Sequence, residues 1–538
     1  MSTCRFNVMG NVMSILFDDI DETTHQHRNP VEYNSINFTN ETKYNGAFGN
    51  LFAFCNKLIS AKNLKLNSNI VPISGYHYMF SNCTSLVDAP KLPCTNLTKH
   101  SCYWGMFTNC TSLVSAPELP ATTITSHCYR AMFRDCTSLI NVSDLPATTL
   151  ITGNFTNFGY AYRDMFYNCT SLVTAPTINF TKLPKSSIEM FNNMFYNCKK
   201  LSYIHTKLKK IQKNIDFLKY WTVGVASNGT FVMPGDAQWF IEGYCGIPLN
   251  WNIEYEGDNT IAEQSKTNTL LNIKNTALKI TALEPCKVTL TSKYINKSSL
   301  DFIRYSLDDG NSWNTVNYTY ASLKKLIDVS LNNTNDTLLV YGDGVLYYND
   351  DCPDQLQFNV TGNYKLSNYI NTLLDPYEIH NTTSSYGGLF CNSSTLQDIT
   401  ELRIKYYPKT YHNTYNQLFA NCTHITDCSN LILNTETIEG NNIYKSMFEN
   451  CSSLIYGPTF KITKFSTNSS IFEETFKGCS SLKYIKALFP DKKPANNFTK
   501  DWVEGVPEGG LFVKNAECTS FVVSGNNGIP AGWDVSTI

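Results

Sequence analysis

Charge is what this chain has least of. Only 16% of its 538 residues are Asp, Glu, Lys or Arg, and the formal net charge is −2. No field of one sign is available to gather phosphate backbones or anionic lipid, so nucleic acid and membrane surfaces are not expected partners. Arginine is scarce, seven residues in all, and nothing in the sequence gathers them into a cluster that could hold a sugar carboxylate. Long apolar runs are also missing. No window approaches eighteen uninterrupted apolar residues, and no membrane insertion is expected. The segment Met1-Ser-Thr-Cys-Arg5-Phe-Asn-Val-Met-Gly10 lacks an apolar stretch before a cleavage site, and Trp533–Ile538 lack a sorting or anchor pattern. The expectation is a chain folded in the cytoplasm without a signal peptide.

The usual constellations of catalysis are absent too. Nine histidines show no zinc spacing, and His25-Gln-His27, among Asp18, Asp19, Asp21 and Glu22, reads as a polar loop. There is no glycine-rich phosphate loop and no Ser-His-Asp or Cys-His set with local support. The pairs Asp18/Asp19 and Glu473/Glu474 read as solvated faces, since nothing brings them to a common substrate. No catalytic, cofactor-binding or metal-ligating residue is assigned, no cofactor is expected, and the chain is not read as an enzyme.

What the chain has is repetition. The element Phe-x-x-Cys-x-x-Leu occurs at Phe52/Cys55/Leu58, Phe80/Cys83/Leu86, Phe107/Cys110/Leu113, Phe133/Cys136/Leu139, Phe166/Cys169/Leu172 and Phe195/Cys198/Leu201. A second run has Phe390/Ser393/Leu396, Phe419/Cys422/Ile425, Phe448/Cys451/Leu454 and Phe476/Cys479/Leu482. Spacings of 26 to 33 residues signify a solenoid. Nine of the nineteen cysteines sit at one place in this repeat, which argues for small buried thiols over a disulfide framework. Within one repeat, Tyr103, Met106, Phe107 and Cys110 fall at i, i+3, i+4 and i+7, the spacing of a short helix. A turn at Asn109–Ser112 and an extended run from Leu113 to Pro120 follow. Such a unit cannot bury its apolar face alone, so neighbours must stack. Sequons such as Asn82-Cys-Thr84 and Asn168-Cys-Thr170 recur because the turn needs those residues, not as glycosylation sites.

Each run is followed by the same ending. Trp221, Gly224, Phe231, Gly246-Ile-Pro248 and Trp251 correspond in order to Trp502, Gly505, Phe512, Gly528-Ile-Pro530 and Trp533. The beginnings also match, Phe6-Asn7-Val8 and Gly10-Asn11 with Phe358-Asn359-Val360 and Gly362-Asn363. Between the runs, alternating segments such as Lys287–Thr291 and Ile303–Ser306 predict a small antiparallel sandwich. Ser306-x-Asp308-x-Gly310-x-Ser312-Trp313 fits an Asp-box hairpin. The expected fold is an α/β repeat with two leucine-rich-type solenoids joined by a small β-sandwich. Its expected divisions are 1–255 with a cap from about 217, 256–350, and 351–538 with a cap from about 498.

Met106-Phe-Thr-Asn-Cys110-Thr-Ser-Leu-Val-Ser-Ala-Pro-Glu-Leu-Pro120 resembles the BspA-like surface leucine-rich repeats, found in surface proteins of gut anaerobes and in virion proteins of their tailed phages, the crAss-like phages included. The resemblance covers both runs and both endings, and it departs at Ser393, at Thr423-His-Ile425 and in the lost Ala-Pro-x-Leu-Pro of the second run. It implies a non-enzymatic structural and binding protein: a fibre or decoration protein on a phage virion, exposed for host attachment, or alternatively a bacterial cell-surface adhesin. A carbohydrate-active enzyme is the remote alternative, suggested by the single Asp-box. Implied partners are other capsid or tail proteins and a host surface protein or glycan, in a homo-oligomer such as a trimer. Residues 17–48, polar and without repeat character, are the expected attachment segment. Trp104, Tyr160 and Tyr162, aromatics that break the repeat rule, are the candidates for ligand contact, with packing as the competing role.

Overall fold

The computed structural model describes residues 4–12, 46–66, 71–151, 159–182, 189–210, 218–243, 245–292, 300–317, 324–344, 348–349, 352–353, 356–374, 386–410, 412–465, 470–490, 498–519 and 525–538. Most of the polar stretch 17–48, with His25, His27, Asp18 and Asp19, lies outside them. The chain forms two compact units, Met1–Asn268 and Thr269–Ile538. Its fold is largely β, with short strands in several sheets and, among the described residues, one α-helix at Thr260–Thr276. Asp258 caps that helix by accepting the Thr260 amide at 2.9 Å, and Lys274 stands in its last turn, at the favourable end of the dipole.

The repeat helix is the first correction. Ser101, Gly105 and Asn109 have φ of 60°, 62° and 59°, every fourth residue left-handed, which no α-helix accommodates. The segment is a continuous run of turns. Trp104, Met106, Thr108 and Cys110 donate backwards to the carbonyls of Ser101, Tyr103, Gly105 and Phe107 at 3.0–3.3 Å. The alternate amides, those of Ser101, Tyr103, Gly105, Phe107 and Asn109, donate along the stack to Ser126, Cys128, Arg130, Met132 and Arg134 of the next repeat at 2.7–3.1 Å. A four-residue turn period and a 3.6-residue helix place the same i, i+3, i+4, i+7 positions inward over two turns. Apolar spacing therefore could not separate them. The difference lies in the amides: half of those in each turn run are satisfied only by a neighbouring repeat, so one repeat alone would leave them unpaired.

Four side-chain columns run through the first unit. Phe52, Phe80, Phe107, Phe133, Phe166 and Phe195 stack at 5.4–5.8 Å between centroids, and Phe48, Tyr76, Tyr103, Tyr129, Tyr162 and Phe191 form a parallel column at 5.4–6.0 Å. The cysteine column is more than small hydrophobes. Each thiol donates to the Phe carbonyl of the preceding repeat, Cys83 to Phe52, Cys110 to Phe80 and Cys136 to Phe107, at 3.0–3.2 Å. The second unit repeats this with Cys422, Cys451 and Cys479 on Phe390, Phe419 and Phe448. At Ser393, where the cysteine is replaced, the hydroxyl meets the Tyr364 hydroxyl at 2.8 Å. The substitution comes with a side-chain hydroxyl as partner, where the thiols named above meet a backbone carbonyl.

The asparagines form the fourth column. Asn109 donates its amide to Asn82 Oδ1 at 2.8 Å and Asn197 to Asn168 at 2.6 Å; Asn421 donates to Asn392 and Asn450 to Asn421 at 2.7 and 3.0 Å. Asn is the side chain that both tolerates the left-handed turn and can donate and accept in one line. This is the physical role of the recurrent Asn-Cys-Thr sequence.

The endings match in detail. Trp221 donates Nε1 to the Gly246 carbonyl at 2.8 Å and Trp502 to that of Gly528 at 2.7 Å; Trp251 and Trp533 donate to Ala226 and Pro507 at 2.9 and 2.7 Å. Each ending adds parallel strands, Tyr203–His205, Thr230–Pro234 and Asn252–Glu256 in one, Tyr484–Leu488, Leu511–Lys514 and Asp534–Thr537 in the other. The beginnings correspond differently from the sequence match. Strand Phe6–Asn11 pairs parallel with Leu58–Lys65, and its counterpart by register is Tyr364–Tyr369, which pairs parallel with Leu396–Arg403 with the same two register shifts. Gly10 and Asn368, both left-handed, occupy the same point. Phe358–Val360, the expected counterpart, lies instead in strand Leu356–Val360, which pairs antiparallel with Cys286–Ser292.

In the second unit, one sheet has Cys286–Ser292 between Lys324–Leu331 and Leu356–Val360. The other runs Asn314–Asn317, Leu300–Ser306, Thr337–Gly344, Leu278–Ala282, Tyr364–Tyr369, Leu396–Arg403. Strands on both sides of residue 350 share these sheets, and a single buried core runs from Leu278 to Trp533. Phe358 stacks on Phe390 at 5.3 Å and so begins the second Phe column. The Asp-box closes on itself: Asp308 accepts from Ser306 Oγ, Ser312 N and Ser312 Oγ at 2.6–2.9 Å, and Trp313 packs edge-on against Tyr341.

Candidate functional site

Of the three aromatics singled out by sequence, the structure brings two together and separates the third. Tyr162 is buried in the Tyr column between Tyr129 and Phe191. Trp104 and Tyr160 are half-buried on the outer side of the turn runs, where they flank His127 at centroid distances of 5.7 and 4.8 Å. Tyr78 extends the row, 5.6 Å from Trp104. Its ring lies over Gly105, where a Cβ would come within 2.3 Å of it. A glycine at this left-handed position both allows the turn and makes room for the ring.

The arginines correct the expectation of no cluster. Three of the seven, Arg130, Arg134 and Arg163, lie in two adjacent repeats of this face. The Arg130 guanidinium sits 5.0 Å from the Trp104 centroid and 5.6 Å from that of Tyr160; Arg163 also lies over Tyr160, at 5.4 Å, and Arg134 over Tyr167 at 4.2 Å. Arg134 and Arg163 have acidic neighbours. Arg134 meets Asp135 at 3.5 Å and Asp164 at 3.9 Å, and Arg163 meets Asp164 at 3.4 Å and pairs closely with Glu189. Arg130 forms no ion pair among the described residues; the rings hold it. Burial, then Arg163, weaken its hold on its proton, though a guanidinium stays charged. Burial, then Arg130, push the His127 imidazole down to about 4, so it is neutral at physiological pH, with Nδ1 engaged by Ser126 Oγ at 2.7 Å.

The second array shows what this face looks like without rings. The positions three residues before each repeat Phe are Gly49, His77, Trp104, Arg130, Arg163 and Asn192 in the first run, and Gly387, Asn416, Lys445 and Glu473 in the second. There Lys445 and Lys500 pair with Glu473 at 3.3 and 3.2 Å, and Lys477 bridges Glu474 and Glu504 at 3.1 and 2.9 Å. The pair Glu473/Glu474, read as a solvated face, is thus tied into ion pairs. The columns of the two arrays are alike and the faces differ, so the fold does not require the aromatic row.

Two other surfaces are less distinctive. A polar cleft of about 490 Å³ in the second unit is lined by Lys274, Lys279, Lys365, Asp309 and Glu401. Its charges largely answer one another, Lys279 to Asp309 at 3.4 Å and Lys365 to Glu401 at 3.7 Å, while Lys274 meets Asn311. A stripe of exposed Val87, Val114, Ile140 and Val173 follows the repeat Leu in four successive repeats. The ladder thiols are poor nucleophiles, since burial raises those of Cys83, Cys136 and Cys422 to about 12. Compared with known proteins, the chain matches no family model, no curated protein and no solved structure.

Proposed function

We propose that this chain is a non-enzymatic structural and binding protein, two leucine-rich-type solenoids of the BspA-like kind with a small β-sandwich between them. It serves as a fibre or decoration protein of a phage virion and attaches to the host surface through the Tyr78–Trp104–His127–Tyr160 face. One observation carries the reading. Like internal columns support a row of rings, around a guanidinium that forms no ion pair among the described residues, in one array and lysine–glutamate ion pairs in the other. Rings and arginine are the residues that dominate contact surfaces, and here they stand where packing does not ask for them. The virion setting comes from the resemblance of the repeat, and a homo-oligomer, a trimer for instance, would multiply a modest affinity by avidity.

Two measurements test this. Mass spectrometry of purified particles should find the chain in stoichiometric amount with capsid or tail proteins; its recovery only from an outer-membrane fraction would make it a cell-surface adhesin instead. Purified chain should adsorb to host cells, and Trp104→Ala should abolish adsorption without lowering the melting temperature by more than a few degrees. Unchanged adsorption would remove the face from the proposal.

A further inference from the structure

Resting on the attachment reading, we propose that the ligand of the aromatic face is an acidic heteropolysaccharide, one whose carboxylates are spaced among neutral sugars, with Arg130 receiving the carboxylate and the rings of Trp104 and Tyr160 lying against the adjoining sugars. Charge counting leads to this class. Three guanidiniums, Arg130, Arg134 and Arg163, share the face with three carboxylates, Asp135, Asp164 and Glu189, so its net charge is near zero. A polyphosphate or densely sulfated chain finds no surplus of cations here and meets carboxylates that repel it. Among the described residues Arg130 alone of the three forms no ion pair, although the Asp164 carboxylate still acts on it from beyond ion-pair distance. Planar and ring-backed on Trp104 and Tyr160, Arg130 offers parallel N–H donors that match a single carboxylate.

The neighbours of Arg130 suit the rest of such a ligand. Tyr78, Trp104 and Tyr160 each combine an apolar body with one polar edge, the complement of a sugar ring with its C–H face and peripheral hydroxyls. His127 stays uncharged between the arginines, and with Nδ1 taken by Ser126 its Nε2 remains to meet a hydroxyl. The row runs along the stack through four repeats, so it presents a line and not a pocket. A polymer fits a line, and a monosaccharide would leave most of it uncovered. An acidic peptide could also bring carboxylates, but it would bring amides and several charges per turn to a face whose charges sum to near zero and where Arg130 alone of the three arginines stands outside the ion pairs of the described residues.

Affinity electrophoresis of the full chain decides it. Xanthan, whose carboxylates are spaced among neutral sugars, should retard the protein, and neutral dextran should not. Arg130→Ala and Trp104→Ala should each weaken retardation by about tenfold or more. Arg130→Lys should lose most of it while keeping the charge, because a point charge lacks the planar fork. Lys445→Ala, on the matching face of the second array, should behave as wild type, and circular dichroism melts verify that each variant is folded. Equal retardation by dextran, full binding by folded Arg130→Ala, or displacement by poly-glutamate but not by xanthan would each overturn the ligand class. Host-cell adsorption that depends on Trp104 with no response to xanthan would do so as well, leaving the attachment reading standing.

Discussion

His127 stands with its ring 4.8 Å from that of Tyr160 and 5.7 Å from that of Trp104, in a setting that resists its protonation. Burial and the nearby Arg130 hold its pKa at about 4, against an ordinary value of 6.5. Between those two values the unfolded chain binds a proton that the folded chain refuses. This group's contribution to stability is therefore complete above pH 6.5, declines as the pH falls, and is gone below about 4. Thermal melts of wild type and His127→Gln at pH 7, 5.5 and 4.5 should show the wild type losing more on acidification. Parallel curves would place the imidazole in solvent.

Asn109 should respond differently to two small replacements. Asn109→Ala forces a Cβ-bearing residue without a local hydrogen bond into φ of 59° and deletes the bond to Asn82. The combined cost is about 2–3 kcal/mol. Asn109→Gly keeps the turn and loses only the side-chain bond, for about 1 kcal/mol. Urea denaturation of both variants checks the order; equal losses would mean that the left-handed turn is not the constraint.

The ladder thiols should be silent in the folded protein. With Cys83, Cys136 and Cys422 raised to about 12, about one thiol in ten thousand is ionised at pH 8. Alkylation followed by peptide mapping should leave these three unmodified in buffer and modify them fully in guanidinium. Rapid native labelling of Cys136 would contradict the packing between Phe107 and Phe133.

Much of this architecture was readable in the sequence, because repetition converts a weak local signal into a column. The Phe and Cys spacings pointed to residues that do stack, and the Trp221/Trp502 endings agree down to their hydrogen bonds. What failed has a common cause: apolar spacing records which residues face inward and not how the backbone gets them there. The turn run at Ser101–Asn109 passed for a helix for that reason. The left-handed residues give little of this away in the sequence: Ser101, Gly105 and Asn109 suit such turns, but His127, Ala131 and Asp135 hold the same positions in the next repeat. The beginning was misaligned by six residues because Phe-Asn-Val is too short to outweigh register. The arginine cluster was hidden because Arg130 and Arg163 are 33 positions apart in the chain and adjacent only once the repeats stack. Trp104 and Tyr160 could be singled out as exceptions to the rule, but only packing could separate Tyr160 from Tyr162, two positions along.

Since every second amide in the turn run is satisfied by the next layer, each repeat is bonded to its neighbours in the same way wherever it stands. Adding or deleting one unit of 26 to 33 residues inserts or removes a layer about 4.8 Å thick without creating a new kind of contact. Reach is thus graduated in fixed steps, like the rungs of a ladder. A lineage could lengthen or shorten this protein one layer at a time, while its endings and its face stay as they are.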